Sequence, residues 1–324
     1  MSEPRQLASG ADGRDYGLPV GHTGAVITVG TFDGMHRGHQ DVLARLAARG
    51  RDTGRPSVVV TFEPHPLEIV NPQAAPPLLT MHDEKLELFA LSGVNYVAVL
   101  RFTPSLAAYE ADAFVDLVLR ERFAMQELLV GHDHGFGRGR LGDVDALCTL
   151  GATRGFAVSV LPPVQSLDGH PVSSTAIRRA VAGGDLARAE AGLGRSYAVM
   201  GRVVGGDKRG RSLGFPTLNL EPPSGRKLLP PNGVYAIRVQ TPQGVFGGML
   251  NLGPRPTFDD HERRIEAHVF DASHDWYGAL VRLDFVAWLR ETRTFPGPGA
   301  LRGQLADDEL AARRALSVAP RRAG

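Results

Sequence analysis

The feature that most constrains this chain is a change of hydrophobic period at Gly183 and Gly184. Upstream, from Ala25 to about Ala182, short β-branched runs alternate with amphipathic stretches of helical spacing. Downstream, strand-like runs follow one another with no helix between them. The first pattern is that of an α/β domain, a parallel sheet covered by helices on both faces, and the second that of an antiparallel β-barrel. A single core does not accommodate both, and 324 residues exceed the usual size of one domain. Two domains are therefore expected, 1–186 and 187–324, with the joint near residues 183–196.

In the first half the runs Ala25 to Val29, Ser57 to Phe62, Val94 to Leu100, Glu127 to Val130 and Phe156 to Leu161 predict five strands. Between them, helical faces are predicted at Val42, Leu43 and Leu46, at Leu86, Phe89 and Ala90, and at Phe114, Leu117 and Val118. The second half offers Tyr197 to Val204, Gly233 to Thr241, Val245 to Asn251, Arg264 to Phe270 and Leu280 to Leu289 as strands, and Pro298 to Ala315 as a closing helix. The first 20 residues, rich in Gly, Ser, Asp and Arg, are read as a mobile leader.

Charge excludes one class of partner. Lys plus Arg total 36 against 35 for Asp plus Glu, and a formal charge of +1 makes no field for holding nucleic acid. The one cysteine, Cys148, suits a reducing compartment. The N-terminus lacks a signal-peptide core, and no segment approaches the roughly 20 apolar residues of a membrane helix. A cytoplasmic protein with no membrane partner is expected.

The segment AVITVGTFDGMHRGHQDVLARLAARG runs from a strand through Gly30, Gly34 and Gly38 into a helix, so backbone N–H groups and the helix dipole can face an anion. His36 and His39 are three apart, on one face of a helical turn, and Gly38 lets a ligand approach the backbone. Preorganised donors of this kind can offset charge that builds on oxygens during attack at phosphorus. An isolated H-x-x-H is more often a solvated polar pair, and a metal site here lacks a third protein ligand.

Two further segments point the same way. VTFEPHP, with Phe62 and His65, ends the second strand, where open parallel sheets bind ligands. VSSTAIRRAVAGGD opens a helix with Ser174, Thr175 and Arg178, whose hydroxyls and forked cation can hold phosphate oxygens, although SSTAIR alone reads as a plain N-cap. In VGHDHGFGRGRLGD, Gly137, Gly139 and Gly142 fit G-x-G-x-x-G, the pattern of dinucleotide-binding oxidoreductases. That match does not lie at the first strand-to-helix turn, and Arg138 and Arg140 interleave it, so it is not the main reading.

The second half has its own constellation. YAVMGRVVGGDKRGRSLGFPTLNL joins a strand to a loop carrying Gly205, Gly206, Gly210 and Gly214 with Lys208, Arg209 and Arg211, a loop able to fold over phosphates. It is not a P-loop, since G-x-x-x-x-G-K-[ST] is absent. Thr217 and Asn219 alternate with Leu218, so their oxygens share one side of an extended segment. Glu266 shares a strand face with His268.

GTFDGMHRGH resembles the signature of nucleotidyltransferases of this fold, and GFPTLNL resembles the G-F-P-T-x-N motif of riboflavin kinases. PPNGVYAIRV, NLGPRPTF and IEAHVFDASHDWYG follow in the order of the same family. From about Ala25 to Leu316 the chain resembles the prokaryotic bifunctional riboflavin kinase/FMN adenylyltransferases, or FAD synthetases. The resemblance implies a Rossmann-like nucleotidyltransferase domain followed by a riboflavin kinase barrel, with ATP, riboflavin and FMN as small-molecule substrates and Mg²⁺ as cofactor. It implies that riboflavin becomes FMN in the second domain and FMN becomes FAD in the first. It places nucleotide or flavin contacts at Gly30, Phe32, Asp33, Gly34, Gly38, Asp133, Phe136, Gly137 and Arg138, and at Gly206, Lys208, Gly210, Arg211, Gly214 and Pro216. It gives Mg²⁺ to Thr217 and Asn219 and the role of base to Glu266.

Ala176, Leu218 and Gly205 depart from the family pattern, at positions to which no chemistry is assigned. Two rival readings are a monofunctional nucleotidyltransferase with an inactive β domain and a non-catalytic flavin carrier.

Overall fold

The run Ala25–Val29 offers water a single hydroxyl, at Thr28, and in the computed structural model of the protein it is buried along its whole length. The structure describes residues 5–7, 17–19, 21–22, 24–131, 142–165, 169, 171–206, 210, 213–221, 224–254, 263–272 and 274–318. The chain divides into two compact units, Met1–Pro76 with His82–Ser174, and Pro77–Met81 with Thr175–Gly324.

In the first unit, β1 (Arg5–Leu7), β2 (Ala25–Val29), β3 (Ser57–Glu63), β4 (Tyr96–Arg101), β5 (Met125–Gly131) and β6 (Ala157–Leu161) form one sheet in the order β1-β4-β3-β2-β5-β6. All its pairings are parallel. Alternation along the central strands builds two cores. Ile27, Val60 and Leu128 pack with Phe114 and Leu119 on one face, and Val26, Val59 and Leu129 with Leu43, Leu46 and Phe89 on the other. The strand order reverses between β2 and β5, so the crevice for a ligand opens at their carboxyl ends.

Three sequence expectations change here. The sheet has six strands rather than five, because Arg5–Leu7, within the stretch read as a leader, pairs with Tyr96–Ala98. In α3 (His82–Ala90) Phe89 is buried as expected, but its buried companions are Glu84 and Lys85 rather than Leu86 and Ala90, because Lys85 finds backbone carbonyls to bond. The helix begun by α5 (Ala111–Phe114) continues over Val115–Arg120 in the wider π winding, which buries Val118 and Leu119 and turns Leu117 outward.

The second unit opens with α7 (Ser174–Ala182, its first residue in the first unit) and α8 (Leu186–Leu193). Strands β7 (Ala198–Val204), β8 (Leu218–Glu221), β9 (Gly233–Thr241), β10 (Gly244–Pro254), β11 (Arg263–Val269) and β12 (Leu280–Arg290) then close a barrel in the order β10-β11-β8-β7-β12-β9. Its barrel pairings are antiparallel, as the run of strands without helices predicts. Tyr235, Ile237, Leu250, Leu283 and Phe285 are fully or almost fully buried. The closing helix α9 (Pro298–Val318) lays Ala312 against Ala236, Met249 and Phe270. A two-pronged ion pair fixes it to β12, Arg290 Nε and Nη2 donating to Asp308 at 2.8 and 2.6 Å. Pro77–Met81 joins this unit through Leu78, which exchanges backbone hydrogen bonds with Arg226 and Leu228 at 2.8 Å each.

Candidate active sites

At the carboxyl end of β2 the chain turns through Gly30–His36 into α1 (Arg37–Thr53). Phe32, Gly34 and Met35 hold φ of 51°, 81° and 40°. Left-handed backbone at two non-glycine residues persists only where the surroundings fix it. Here they do: Phe32 and Met35 are 3% and 2% exposed and lie in the core layer of Leu43 and Phe89. The loop is anchored by its apolar side chains.

His36 caps α1, its Nδ1 accepting the His39 backbone N–H at 3.3 Å, so neutral His36 carries its proton on Nε2. The two imidazoles stack with centroids 3.7 Å apart at 18°, and Phe32 meets His39 edge-on at 5.1 Å. The spacing of three thus does place both rings together. Gly38 relieves crowding there, since a Cβ would stand a tight 3.1 Å from His36 Cε1. Ser174 joins the loop, its hydroxyl donating to the Asp33 carbonyl at 2.9 Å.

Burial, then His36, then Lys85 hold the His39 pKa well below its ordinary value, so that ring is neutral near pH 7. His39 Nδ1 is buried with no hydrogen-bond partner among the described residues, an atom ready for a polar ligand. Lys85, which the sequence reading did not single out, is 6% exposed. Its Nζ lies 3.4 Å from the carbonyl oxygens of Thr31 and Phe62 and 3.8 Å from Glu63. Burial lowers its pKa against the opposing pull of Glu63, Asp33 and Glu68. The available signal was a lysine one turn before Phe89 on an otherwise apolar face.

Two expected contacts sit apart from the histidines. Phe62 lies in the core layer opposite Phe32, with Phe102 at 5.3 Å. His65 caps α2 (Pro66–Val70), its Nδ1 accepting from Leu67 N at 3.2 Å while Glu68 accepts from His65 N at 3.2 Å. Thr175 and Arg178 belong to the second unit, where Arg178 Nε donates to the Pro77 carbonyl at 3.0 Å. Asp133, Phe136, Gly137 and Arg138 lie outside the described residues, directly after β5 ends at Gly131.

In the second unit, register assembles a row of polar groups. Asn219 on β8 pairs with Glu266 on β11, and Glu266 pairs with Asn251 on β10, so the three side chains stand on one face. Ile265 and Ala267 point into the core, which leaves Arg264, Glu266 and His268 on that outer face. Arg264 Nη1 donates to Glu266 Oε1 at 3.1 Å, and both side chains are about a quarter exposed, at 26% and 27%. His268 Nδ1 donates to the Pro216 carbonyl at 2.7 Å, steadying the segment that carries Thr217. The loop after β7 comes close: a Cβ at Gly206 would overlap the Asn219 amide, and one at Gly210 would overlap the Phe215 carbonyl. Gly214 turns the chain with φ 89°. Lys208 and Arg211 lie outside the described residues. Arg264 and Asn251 were missed from the sequence, although Arg264 stands two before Glu266 on the same strand face.

Oxygen donors from Thr217 and Asn219 beside a carboxylate suit a hard cation shared with phosphates. Among the described residues no group of three or more His, Cys, Asp or Glu side chains is placed to hold a metal.

A strand-to-helix anion loop at the switch point of a parallel sheet, joined in one chain to a barrel bearing a carboxylate and amides beside a glycine loop, defines a nucleotide-dependent transferase with two centres. Residues 19–176 match the FAD synthetase family model and residues 193–316 the riboflavin kinase model. The chain belongs to the bifunctional riboflavin kinase/FMN adenylyltransferase family. It is 39% identical over 291 residues to the enzyme of that name from Escherichia coli K12, covering 90% of this chain and 92% of that one. With the Pseudomonas fluorescens enzyme the identity is 39% over 304 residues, 94% and 96% of the two chains. A solved structure from Streptococcus pneumoniae, named a macrolide-efflux protein, is similar with TM-score 0.81 and 29% identity over 93% of this chain and 96% of that one. Among the described residues here, no helix is long and apolar enough to cross a membrane.

Proposed function

We propose that the Gly30–His39 loop carries adenylyl transfer to FMN and that the row of Asn219, Glu266 and Asn251 carries phosphoryl transfer to riboflavin, in a chain whose two activities are riboflavin kinase and FMN adenylyltransferase. The observation that carries the reading is the pairing of Glu266 with Asn219 across β8 and β11, beside Gly206. We assign 1–186 to the adenylyltransferase and 187–324 to the kinase, and a cytoplasmic location suits the free Cys148.

For the kinase step, Glu266 accepts the proton of the ribityl hydroxyl as that oxygen attacks the γ-phosphorus of ATP, and ADP leaves. Arg264 ion-pairs with the carboxylate and orients it. Thr217 and Asn219 would hold Mg²⁺, which would neutralise phosphate charge when bound. Gly206, Gly210, Gly214 and Pro216 shape the wall above them, with Lys208 and Arg211 of the same loop contributing charge.

For the adenylyl step, the FMN phosphate is already ionised and attacks the α-phosphorus with loss of pyrophosphate, so no base is required. The stacked rings of His36 and His39, the latter neutral, donate hydrogen bonds to the phosphate oxygens. Backbone N–H groups at the start of α1 add the helix dipole. Ser174 fixes the loop at Asp33. Phe32, Gly34 and Gly38 shape this cradle, and the family resemblance assigns flavin and nucleotide contacts to Phe62, His65, Asp133, Phe136, Gly137 and Arg138.

The test is to incubate the protein with riboflavin, ATP and Mg²⁺ and separate riboflavin, FMN and FAD by chromatography. Both products are expected, and the His36→Ala, His39→Ala double variant stops at FMN. Absence of FAD from riboflavin and from added FMN refutes the adenylyltransferase assignment, and a yellow protein without ATP consumption indicates a carrier.

A further inference from the structure

Lys85 is a buried cation for which the two reactions above name no task. It stands one turn from Phe89 on α3, and Phe89 meets Phe32 of the nucleotide loop at 5.5 Å and 74°. The helix therefore props the loop with an aromatic ring and, beside it, an ammonium. That ammonium reaches two carbonyls, Thr31 in the loop itself and Phe62 near the end of the neighbouring strand. An apolar side chain of the same length would fill this space without the cost of desolvating a charge. Glu63, its ion-pair partner among the described residues, is 3.8 Å away with its side chain 40% exposed, so it offsets the charge weakly.

We propose that Lys85 is a positioning residue for adenylyl transfer. Its ammonium ties the carboxyl ends of β2 and β3, holds the Gly30–His36 turn in its left-handed course, and fixes a positive charge beneath the phosphate cradle. This rests on reading the loop as the adenylyl-transfer site. The design is coherent with the histidines beside it: the two stacked imidazoles cannot both carry charge cheaply, so a cation is supplied by Lys85. The titratable groups that face Lys85 are Glu63, Asp33 and Glu68, with His82 and His65 beside Glu63, and His39 faces Lys85 and His36.

Lys85→Gln keeps a donor and removes the charge, and Lys85→Met removes both. FAD formation from FMN and ATP is measured in each, across pH, together with FMN formation by the other unit and thermal unfolding. In both variants the KM for ATP of the adenylyl step rises by about tenfold or more, while the kinase step is unchanged. The acid limb of FAD formation also moves to higher pH, because the cation no longer opposes protonation of His39. A merely structural lysine would lower the active fraction, reducing kcat at constant KM for ATP with the acid limb in place, and that result overturns the proposal. So does a KM for ATP within about threefold of the parent in both variants. If Lys85→Met does not fold, Lys85→Gln decides the matter. Failure of the parent protein to make FAD is a separate outcome, which removes the reading of the loop itself.

Discussion

Glu266→Gln separates the two activities and has a size that the barrel geometry sets. Glutamine keeps the length and shape of the side chain, its place between Asn219 and Asn251, and an oxygen to accept from Arg264, but it cannot take a proton at neutral pH. A general base contributes about 100- to 10,000-fold, or roughly 2.7–5.4 kcal/mol of barrier. The stability cost is much smaller, because the Arg264–Glu266 pair is about a quarter exposed and such pairs contribute about 0.2–1 kcal/mol. FMN formation should therefore fall by about 100-fold or more in a protein whose urea midpoint barely moves. FAD formation from added FMN should stay at the parental rate, because it belongs to the other unit. The assay is chromatographic, with riboflavin and FMN as alternative starting materials. A kinase rate within about fivefold of the parent would refute the role of Glu266 as base. Loss of both activities in a folded variant would refute the assignment of separate centres.

Gly206→Ala forces a Cβ into the Asn219 amide, so FMN formation should drop by about 100-fold while FAD formation from FMN persists, as the same chromatography would reveal. Asp308→Ala removes a carboxylate that is 3% exposed and binds Arg290 twice and Gln304 once, at 2.7 Å. The second unit should lose about 3 kcal/mol, read by calorimetry as a fall of roughly 6–12 °C in its transition. The depressed His39 pKa makes stability pH-dependent in a defined sense. The unfolded chain takes up that proton first as pH falls, so the His39 contribution is intact above the ordinary histidine value of 6.5 and is lost as pH falls from there toward the folded-state value. Urea midpoints of the parent should consequently decline more between about pH 7 and 5 than those of His39→Gln, and parallel declines would contradict the burial of a neutral ring.

Particular residues mark how far the sequence reaches. The spacing of His36 and His39 predicts their shared face, and the rings do stack. The alternation around Leu218 predicts that Thr217 and Asn219 point the same way, and the change of period at Gly183 separates a parallel sheet from a closed barrel. All three are local properties, set by the 3.6- and 2-residue repeats of the backbone.

What the sequence determined by itself was therefore the two architectures and the segments that carry the chemistry. Tertiary structure decided which distant segments meet. The register of β8, β11 and β10 puts Asn219, Glu266 and Asn251 in one row, and a slip of one residue would turn Glu266 into the core. Packing of α3 under the loop made Lys85 a buried cation, where periodicity favoured Leu86. A π turn moved Leu117 to the surface, and an edge position on β4 gave Arg5–Leu7 a strand to join. Local repeats fix the direction of a side chain along its own element. Burial, register and charge at a site depend on contacts between elements far apart in the chain, and those contacts arise only when the whole unit folds.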